Sequence, residues 1–207
     1  MSSTQTPCTI FIVDDDEAVR DSLRWLLEAN GYRVKCFSAA EEFLNSYDPD
    51  VIAVLIVDVR MPGMSGLELQ EALIARKATI PMVFITGHGD VPMAVNTMKK
   101  GAVDFLEKPF NEADLRAIVA RMIDQALDLA SQAQEKRKHE KVISRLTARE
   151  QQVLERIVAG RLNKQIAGDL NISIKTVEAH RANIMEKLEV TTVADLMKIA
   201  LVKTGEN

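Results

Sequence analysis

Acidic, hydroxyl and amino side chains follow short apolar runs in the first half of the chain. Asp14 and Asp15 come directly after the first run, and Asp58 comes directly after the third. Thr86 and Lys108 stand at the ends of the fourth and fifth runs. Neighbouring carboxylates repel one another unless a cation neutralises them. An all-oxygen site suits Mg²⁺, and with a hydroxyl and an ammonium group it is typical of phosphoryl transfer to a carboxylate nucleophile.

These side chains need a parallel sheet to bring them together. The apolar runs lie at 9–13, 33–37, 53–57, 81–85 and 104–107, separated by helical patterns at about 17–30, 38–47 (capped by Ser38), 66–75 and 91–100. This alternation predicts right-handed crossovers and a doubly wound parallel sheet, an α/β fold. With the strand order 2-1-3-4-5, the first and third strands are neighbours and ligands bind beyond their carboxyl ends. Asp14, Asp15 and Asp58 would then converge on one pocket.

The acidic set also fits a purely structural role or an enzyme. Acidic residues at strand ends are often simple turn formers, and a lysine before a proline is commonly a surface residue. A Mg²⁺-dependent phosphatase could also use Asp58 as its nucleophile. Such enzymes usually carry a second acid two residues further on, and here that position is Arg60, which cannot act as a general acid.

Four segments resemble the receiver domains of two-component response regulators. They are FIVDDDEAVR, LIVDVRMPGMSGLEL, FITGHGDVPMAV and GAVDFLEKPF, and the last two look especially like the FixJ-type branch. The resemblance covers about residues 8–125 and implies a CheY-like five-stranded receiver fold. It also implies that Asp58 accepts a phosphoryl group from the phosphohistidine of a sensor histidine kinase.

The same resemblance implies a metal site among the carboxylates. Asp15, Asp58 and the backbone carbonyl of Arg60 would bind Mg²⁺ or another divalent cation, with Asp14 acting through water. A receiver of this kind is no enzyme towards other substrates, since it catalyses only its own phosphorylation and dephosphorylation.

The resemblance also assigns the residues that would respond to the phosphoryl group. Thr86 and Lys108 would hold its oxygens, and the Lys108–Pro109 peptide bond is expected to be cis. Phe105 would be the aromatic switch. A receiver can signal through protein contacts alone, so the output depends on the second half of the chain.

A long helical pattern follows the receiver segment. Residues 112–159 contain no glycine or proline, and apolar residues recur at helical spacing up to Ala126. Residues 132–141 are almost wholly polar but consist largely of good helix formers. The pattern therefore favours a helical linker at 126–144. A disordered charged tether is the alternative.

The last 60 or so residues predict a small all-α domain. Helical patterns lie at 147–159, 163–170, 173–188 and 193–203. Residues 145–203, above all NKQIA and TVEAHRANI, resemble the LuxR-type helix-turn-helix of FixJ/NarL-family regulators, which gives a DNA-binding domain at 145–207. A helical protein-interaction module is the alternative.

In such folds the third helix lies in the major groove. Its candidate DNA-facing residues are Lys175, Thr176, Glu178, Ala179, Ala182 and Asn183, and the candidate phosphate contacts are Asn163, Lys164, His180 and Arg181. Ile166, Ala167, Leu170 and Ile172 would pack against Val177, Ile184 and Leu188. Lys187 and Lys198 are expected to be solvated.

Composition agrees with a regulator of two domains. Residues 1–125 carry 12 Lys and Arg against 19 Asp and Glu, whereas residues 126–207 carry 14 against 11. An acidic half followed by a mildly basic half fits a metal site and an anionic partner. The polar start of the chain shows no secretory signal, and Cys8 and Cys36 are expected to be buried, reduced thiols. These features predict a cytoplasmic protein.

The expected partners are a sensor kinase, promoter DNA, RNA polymerase and a second copy of the chain. Val91, Ala94, Val95 and Met98 form a small apolar stripe that suits a weak, conditional interface. We therefore expect a monomer that dimerises on phosphorylation and acts as a transcription regulator. That it activates transcription, and does not repress it, is implied by the resemblance alone.

Overall fold

The computed structural model describes residues 8–87, 91–192 and 194–197, and all of their side chains except those of Val91, His139 and Glu140. By residue contacts the chain divides into two compact units, residues 1–130 and 131–207. Within the described part of the chain, no helix has both the length and the apolar character needed to cross a membrane.

The first unit is built around a parallel sheet. Its strands are β1 (Thr9–Val13), β2 (Arg33–Phe37), β3 (Ala53–Asp58), β4 (Met82–Thr86) and β5 (Asp104–Glu107). Their order is β2-β1-β3-β4-β5, the order on which the predicted pocket depends, so the strand that carries Asp58 lies beside the strand that precedes Asp14. The helices are α1 (Glu17–Ala29), α2 (Ala40–Ser46), α3 (Gly66–Ala75), α4 (Val91–Lys99) and α5 (Glu112–Ile143).

Alternating side chains of β3 divide the core into two layers. Val54 and Ile56 join the cluster that α1 and α5 cover, whereas Leu55 and Val57 join the cluster that α2 and α3 cover. All four are at most 1% exposed. Full burial of such a side chain contributes about 1.5–3 kcal/mol, which holds the strand ends, and the residues that follow them, in fixed positions.

The predicted cap of α2 is wrong. The helix begins at Ala40, and its N-cap residue Ala39 makes no side-chain bond. Ser38 therefore lies one residue too early to cap. Its hydroxyl instead lies 3.4 Å from the Glu42 carboxylate.

The second unit contains α6 (Ala148–Val158), α7 (Asn163–Leu170) and α8 (Ile174–Lys187), preceded by the end of α5, which runs unbroken to Ile143. Thr147 caps α6, Ser173 caps α8, and Asn171 ends α7 at a φ of 51°. Of the predicted last helix, residues 194–197 are helical and the other positions, including Lys198, lie outside the described residues.

The core of the second unit is the predicted one. Its buried members include Ile166, Ala167, Leu170, Val177, Ile184 and Leu188, with Ile172 packed against them. Lys187 differs from its predicted role, because it is not simply solvated. Its Nζ lies 2.9 and 2.7 Å from the two carboxylate oxygens of Glu150, at the start of α6.

Both cysteines are free thiols. Cys8 is buried, and desolvation raises its pKa to about 11. Cys36 is half-buried rather than buried as expected, and its Sγ accepts a hydrogen bond of 3.4 Å from Nε of Arg24.

Candidate functional site

Two buried carboxylates lie at the carboxyl ends of neighbouring strands. Asp14 directly follows β1, and Asp58 is the last residue of β3. The strands pair with Val13 opposite Val57, which places both carboxylates at the same level of the sheet. Asp14 is 2% exposed and Asp58 is 7% exposed. Two such groups are costly to bury without a counter-charge.

Lys108 supplies that counter-charge. Its Nζ lies 2.7 Å from Oδ2 of Asp14 and 2.9 Å from Oδ1 of Asp58, and its backbone N–H donates to the Thr86 carbonyl at 2.7 Å. Burial lowers the pKa of Lys108, but the hydrogen bonds and charges of the two aspartates outweigh it and leave this pKa raised. Burial also raises the pKa of Asp14, and the bond from Lys108 opposes this shift only in part.

The three consecutive aspartates have different surroundings. Oδ1 of Asp14 accepts the backbone N–H of Asp16 at 2.9 Å. Asp16 is the N-cap of α1, where it accepts N–H bonds from Ala18 and Val19. Asp15 is exposed, and no described residue forms a hydrogen bond or ion pair with its carboxylate. Asp15 is therefore the member of the triplet that is free to turn towards a ligand.

The structure brings Asp14 and Asp58 together but does not assemble a cluster of three carboxylates. Among the described residues, no three acidic, histidine or cysteine side chains are placed to hold one metal ion. Mg²⁺ needs only one or two carboxylates in addition to water and phosphate oxygens. The Arg60 backbone N–H donates to Oδ2 of Asp58 at 2.7 Å, which holds the Arg60 backbone beside that carboxylate. This all-oxygen donor set fits the ion.

The predicted switch residues lie on the two strands beyond β3. Thr86 is the last residue of β4 and is 1% exposed. Phe105 lies in β5 and packs, half-buried, against the core layer under α2 and α3. The Lys108–Pro109 peptide bond is cis, as the resemblance implies.

Sequence reasoning missed Arg20 and Glu41. Nη1 of Arg20 donates to the Asp14 carbonyl at 2.7 Å and so fixes the backbone of the acidic triplet. A basic residue one turn into the helix after an acidic run was the signal for it. Oε1 of Glu41 accepts the backbone N–H of Met64 at 2.9 Å, across 23 positions of sequence, and no local pattern indicates this contact.

The second unit presents a polar helix face opposite its core. On α8, Lys175, Thr176, Glu178, Ala179, Ala182 and Asn183 are exposed, and His180 and Arg181 are half-buried. At the start of α7, Lys164 is exposed and Asn163 is half-buried. The structure therefore leaves the candidate DNA-facing residues of α8 accessible.

An open groove of about 520 Å³ lies beside this face. Asn163 and Arg181 line it together with Arg161 and the exposed Leu162. Arg161 was not among the predicted phosphate contacts, although a basic residue just before the NKQIA motif could have drawn attention to it.

Comparison with known proteins finds two family models that match separate parts of the chain. A family model described as the response regulator receiver domain matches residues 10–120, and one described as bacterial regulatory proteins of the luxR family matches residues 144–200. The chain belongs to the response regulator family. It is a phosphorylation-controlled transcription regulator with a receiver domain and a LuxR-type DNA-binding domain.

Relatives match this response regulator over nearly its whole length. The transcriptional regulatory protein FixJ of Rhizobium meliloti is 46% identical over 95% of the chain and 96% of its own length. The response regulator protein TmoT of Ectopseudomonas mendocina is 46% identical over 92% and 86%. The low-resolution structure of the response regulator StyR has a TM-score of 0.81 and 45% identity, and covers 94% of this chain and 98% of that one.

The family assigns partners in general terms. The receiver domain implies a sensor kinase, and the LuxR-type domain implies DNA. Receiver domains generally bind Mg²⁺ at the acidic phosphorylation site. Membership of this family excludes the phosphatase alternative, since response regulators are not enzymes in the usual sense.

Proposed function

We propose that Asp58 is the phosphoryl acceptor and that the phosphorylated chain dimerises and binds promoter DNA. The observation that carries the first part is the position of Lys108, whose ammonium group lies between two buried carboxylates at adjacent strand ends. An ammonium group in that position can move to the oxygens of an incoming phosphoryl group while remaining close to both aspartates.

The reaction follows from this arrangement. A carboxylate oxygen of Asp58 attacks the phosphorus atom of a kinase phosphohistidine, and the bond from phosphorus to the imidazole nitrogen breaks. Lys108 and the hydroxyl of Thr86 then hold phosphoryl oxygens. Mg²⁺ bound by Asp15, Asp58 and the Arg60 carbonyl, with Asp14 acting through water, would neutralise charge on the carboxylates and the phosphoryl group.

Labelling with acetyl phosphate tests the acceptor and the self-catalysed transfer together, because no kinase is present. Asp58→Asn should abolish labelling, since an amide is a far poorer nucleophile. Lys108→Ala should keep part of the labelling but separate it from DNA binding. Asp124→Asn, an exposed position on α5, is the control and should label normally. Full labelling of the Asp58 variant would overturn the assignment.

The DNA contacts divide into positioning and reading residues. Asn163, Lys164, His180 and Arg181 are proposed to bind phosphates, and the exposed residues of α8 are proposed to face bases. Lys164→Ala should weaken binding to all DNA sequences alike. It should also reduce, by about one, the slope of the logarithm of the binding constant against the logarithm of the salt concentration. Lys175→Ala and Asn183→Ala should change site preference, at about 1–3 kcal/mol for each lost base contact. An unchanged selected motif in both α8 variants would show that another face reads the DNA.

The proposed dimer uses the apolar stripe on α4. Val95 is 47% exposed and Met98 is 44% exposed, and this small area suits an interface that forms only after phosphorylation. In this proposal, Phe105 reorients as Thr86 is drawn to the phosphoryl group. Sedimentation with and without beryllofluoride, a phosphoryl mimic, should show a monomer becoming a dimer. An unchanged molar mass would contradict it.

We place the receiver domain at 8–125, the helical linker at 126–144 and the DNA-binding domain at 145–207. A promoter-bound regulator of this family would work in the cytoplasm and contact RNA polymerase as an activator. Transcription in vitro with purified polymerase, with and without acetyl phosphate, tests the sign of regulation.

A further inference from the structure

The loop between β3 and α3 carries the backbone carbonyl that the proposed metal site needs. It spans residues 60–65, and its base is closed by a hydrogen bond of 3.0 Å from the Gly66 N–H to the Val59 carbonyl. The approach there is tight, because a Cβ added to Gly66 would collide with the Asp58 carbonyl oxygen. Ser65 fixes the far end through a capping box with Glu68. These contacts hold both ends of the loop.

The middle of the loop is held from outside by Glu41. Oε1 of this residue, at the start of α2, accepts the Met64 backbone N–H at 2.9 Å. A Cβ added to Gly63, which has a φ of 74°, would lie only 2.8 Å from the same oxygen. The carboxylate therefore lies directly against the backbone of two consecutive loop residues. The neighbouring Glu42 makes no such contact, since its carboxylate bonds to Ser38 within its own helix end.

We infer that Glu41 is a positioning residue for the phosphoryl-transfer site, because its carboxylate holds the 60–65 loop in the conformation that presents the Arg60 carbonyl to Mg²⁺. The inference rests on the proposed function. Glu41 acts through the Met64 N–H and touches neither the phosphoryl group nor the ion. A loop held at its centre as well as its ends loses less conformational freedom when it binds a ligand, and this saving appears as affinity.

The test is Mg²⁺ binding by the full chain, measured by calorimetry without any phosphodonor. A net hydrogen bond corresponds to about a two- to tenfold change in an equilibrium constant, so Glu41→Ala should raise the Mg²⁺ dissociation constant by about that factor. Labelling by acetyl phosphate should be slower at limiting Mg²⁺ and normal at saturating Mg²⁺. Glu42→Ala is the matched control and should bind Mg²⁺ like the wild type.

Two further variants separate positioning from simple charge attraction. Glu41→Gln keeps an acceptor oxygen but removes the charge, so positioning predicts affinity close to that of the wild type. Affinity as weak as that of Glu41→Ala would overturn the inference in favour of long-range attraction. Gly63→Ala should weaken Mg²⁺ binding less in the Glu41→Ala background than in the wild type, because the clash is then relieved.

Failure of this inference can be told apart from failure of the proposed function. If the wild type binds Mg²⁺ and is labelled on Asp58, but Glu41→Ala binds Mg²⁺ equally well, only the role of Glu41 is wrong. If the wild type binds no Mg²⁺ and takes no label, the proposed function is overturned, and the inference with it.

Discussion

Each unit of this response regulator contains a lysine that neutralises one or two buried carboxylates. In the receiver unit, Lys108 is shared between Asp14 and Asp58, which lie at the carboxyl ends of two neighbouring strands. In the DNA-binding unit, both oxygens of Glu150 lie within 2.9 Å of Lys187. One lysine thus serves two acids, and the other serves one.

The difference shows which pair can exchange its partners. Glu150 is also bonded by the backbone and hydroxyl of Thr147 in a capping box, so its oxygens are committed to the fold. Asp58 accepts only the Arg60 N–H in addition to Lys108 among the described contacts, which leaves lone pairs for a ligand. A shared, incompletely bonded pair can bind and release a group, whereas a closed pair stabilises the packing of α6 against α8.

Removal of Glu150 should give the largest loss of stability. Glu150→Ala deletes the capping box and leaves Lys187 without its counter-charge. Because Lys187 keeps 37% of its side-chain surface in solvent, the cost should be lower than for a fully buried pair, at about 2–3 kcal/mol. Urea unfolding followed by hydrogen exchange of the α6–α8 amides measures it.

The matched control is Glu155→Ala, an exposed glutamate on the same helix. Its free energy of unfolding should change by less than about 0.5 kcal/mol. Equal losses in the two variants would show that the Glu150 pair is no more than a surface contact.

The two lysines should respond differently to Mg²⁺. Lys108→Met leaves Asp14 and Asp58 to repel each other and should lower stability without metal, by about 1.4 kcal/mol for each unit by which a carboxyl pKa rises. Saturating Mg²⁺ should restore that loss, since a ligand at a hundred times its dissociation constant contributes about 2.7 kcal/mol. Lys187→Met keeps the receiver site, so Mg²⁺ should stabilise its receiver unit but leave the loss in its DNA-binding unit unrestored.

Thermal unfolding in MgCl₂ and in NaCl of equal ionic strength measures the response. With the transition of each unit followed separately, recovery of the DNA-binding unit of Lys187→Met in Mg²⁺ would contradict the view that only the receiver pair exchanges its partners.

The parts of the fold and of the site that could be predicted are those that depend on regular strand and helix patterns. Parallel strands place their carboxyl ends at one edge, so the position of Asp58 beside Asp14 follows once the strand order 2-1-3-4-5 is assumed. The helix core around Ile166 followed from helical spacing.

Contacts across long stretches of sequence escaped prediction. The Glu150 to Lys187 pair spans 37 positions and the Glu41 to Met64 bond spans 23. A charged residue on a helix has the same local pattern whether its face meets solvent or another helix, so sequence alone assigned Lys187 to solvent. Ser38 shows that the first residue of a helix is also hard to predict, because α2 begins one residue later than Ser38 could cap.

The smallest expected effect is the pH dependence of the closed pair. The hydrogen bond from Lys187 lowers the pKa of Glu150 from its usual 4.5, with Thr147 adding to the shift against an opposing effect of burial. Glu150 therefore contributes stability that is fully present above its ordinary pKa and is lost as pH falls through the lower pKa of the folded state.

Comparison of Glu150→Gln with the wild type isolates this effect, because glutamine keeps the size of the side chain and can still form the capping box. The difference in free energy of unfolding between the two should be constant from pH 7 down to about pH 5 and shrink at lower pH, where protonated Glu150 resembles glutamine.

In the Lys187→Met background, most of that pH dependence should disappear, since the main cause of the lowered pKa is gone. Titration of the receiver carboxylates cancels in each difference, as both chains carry them. A difference that persisted unchanged to about pH 3, below the ordinary glutamate pKa, would mean that Glu150 stabilises the domain through its shape and not through its charge.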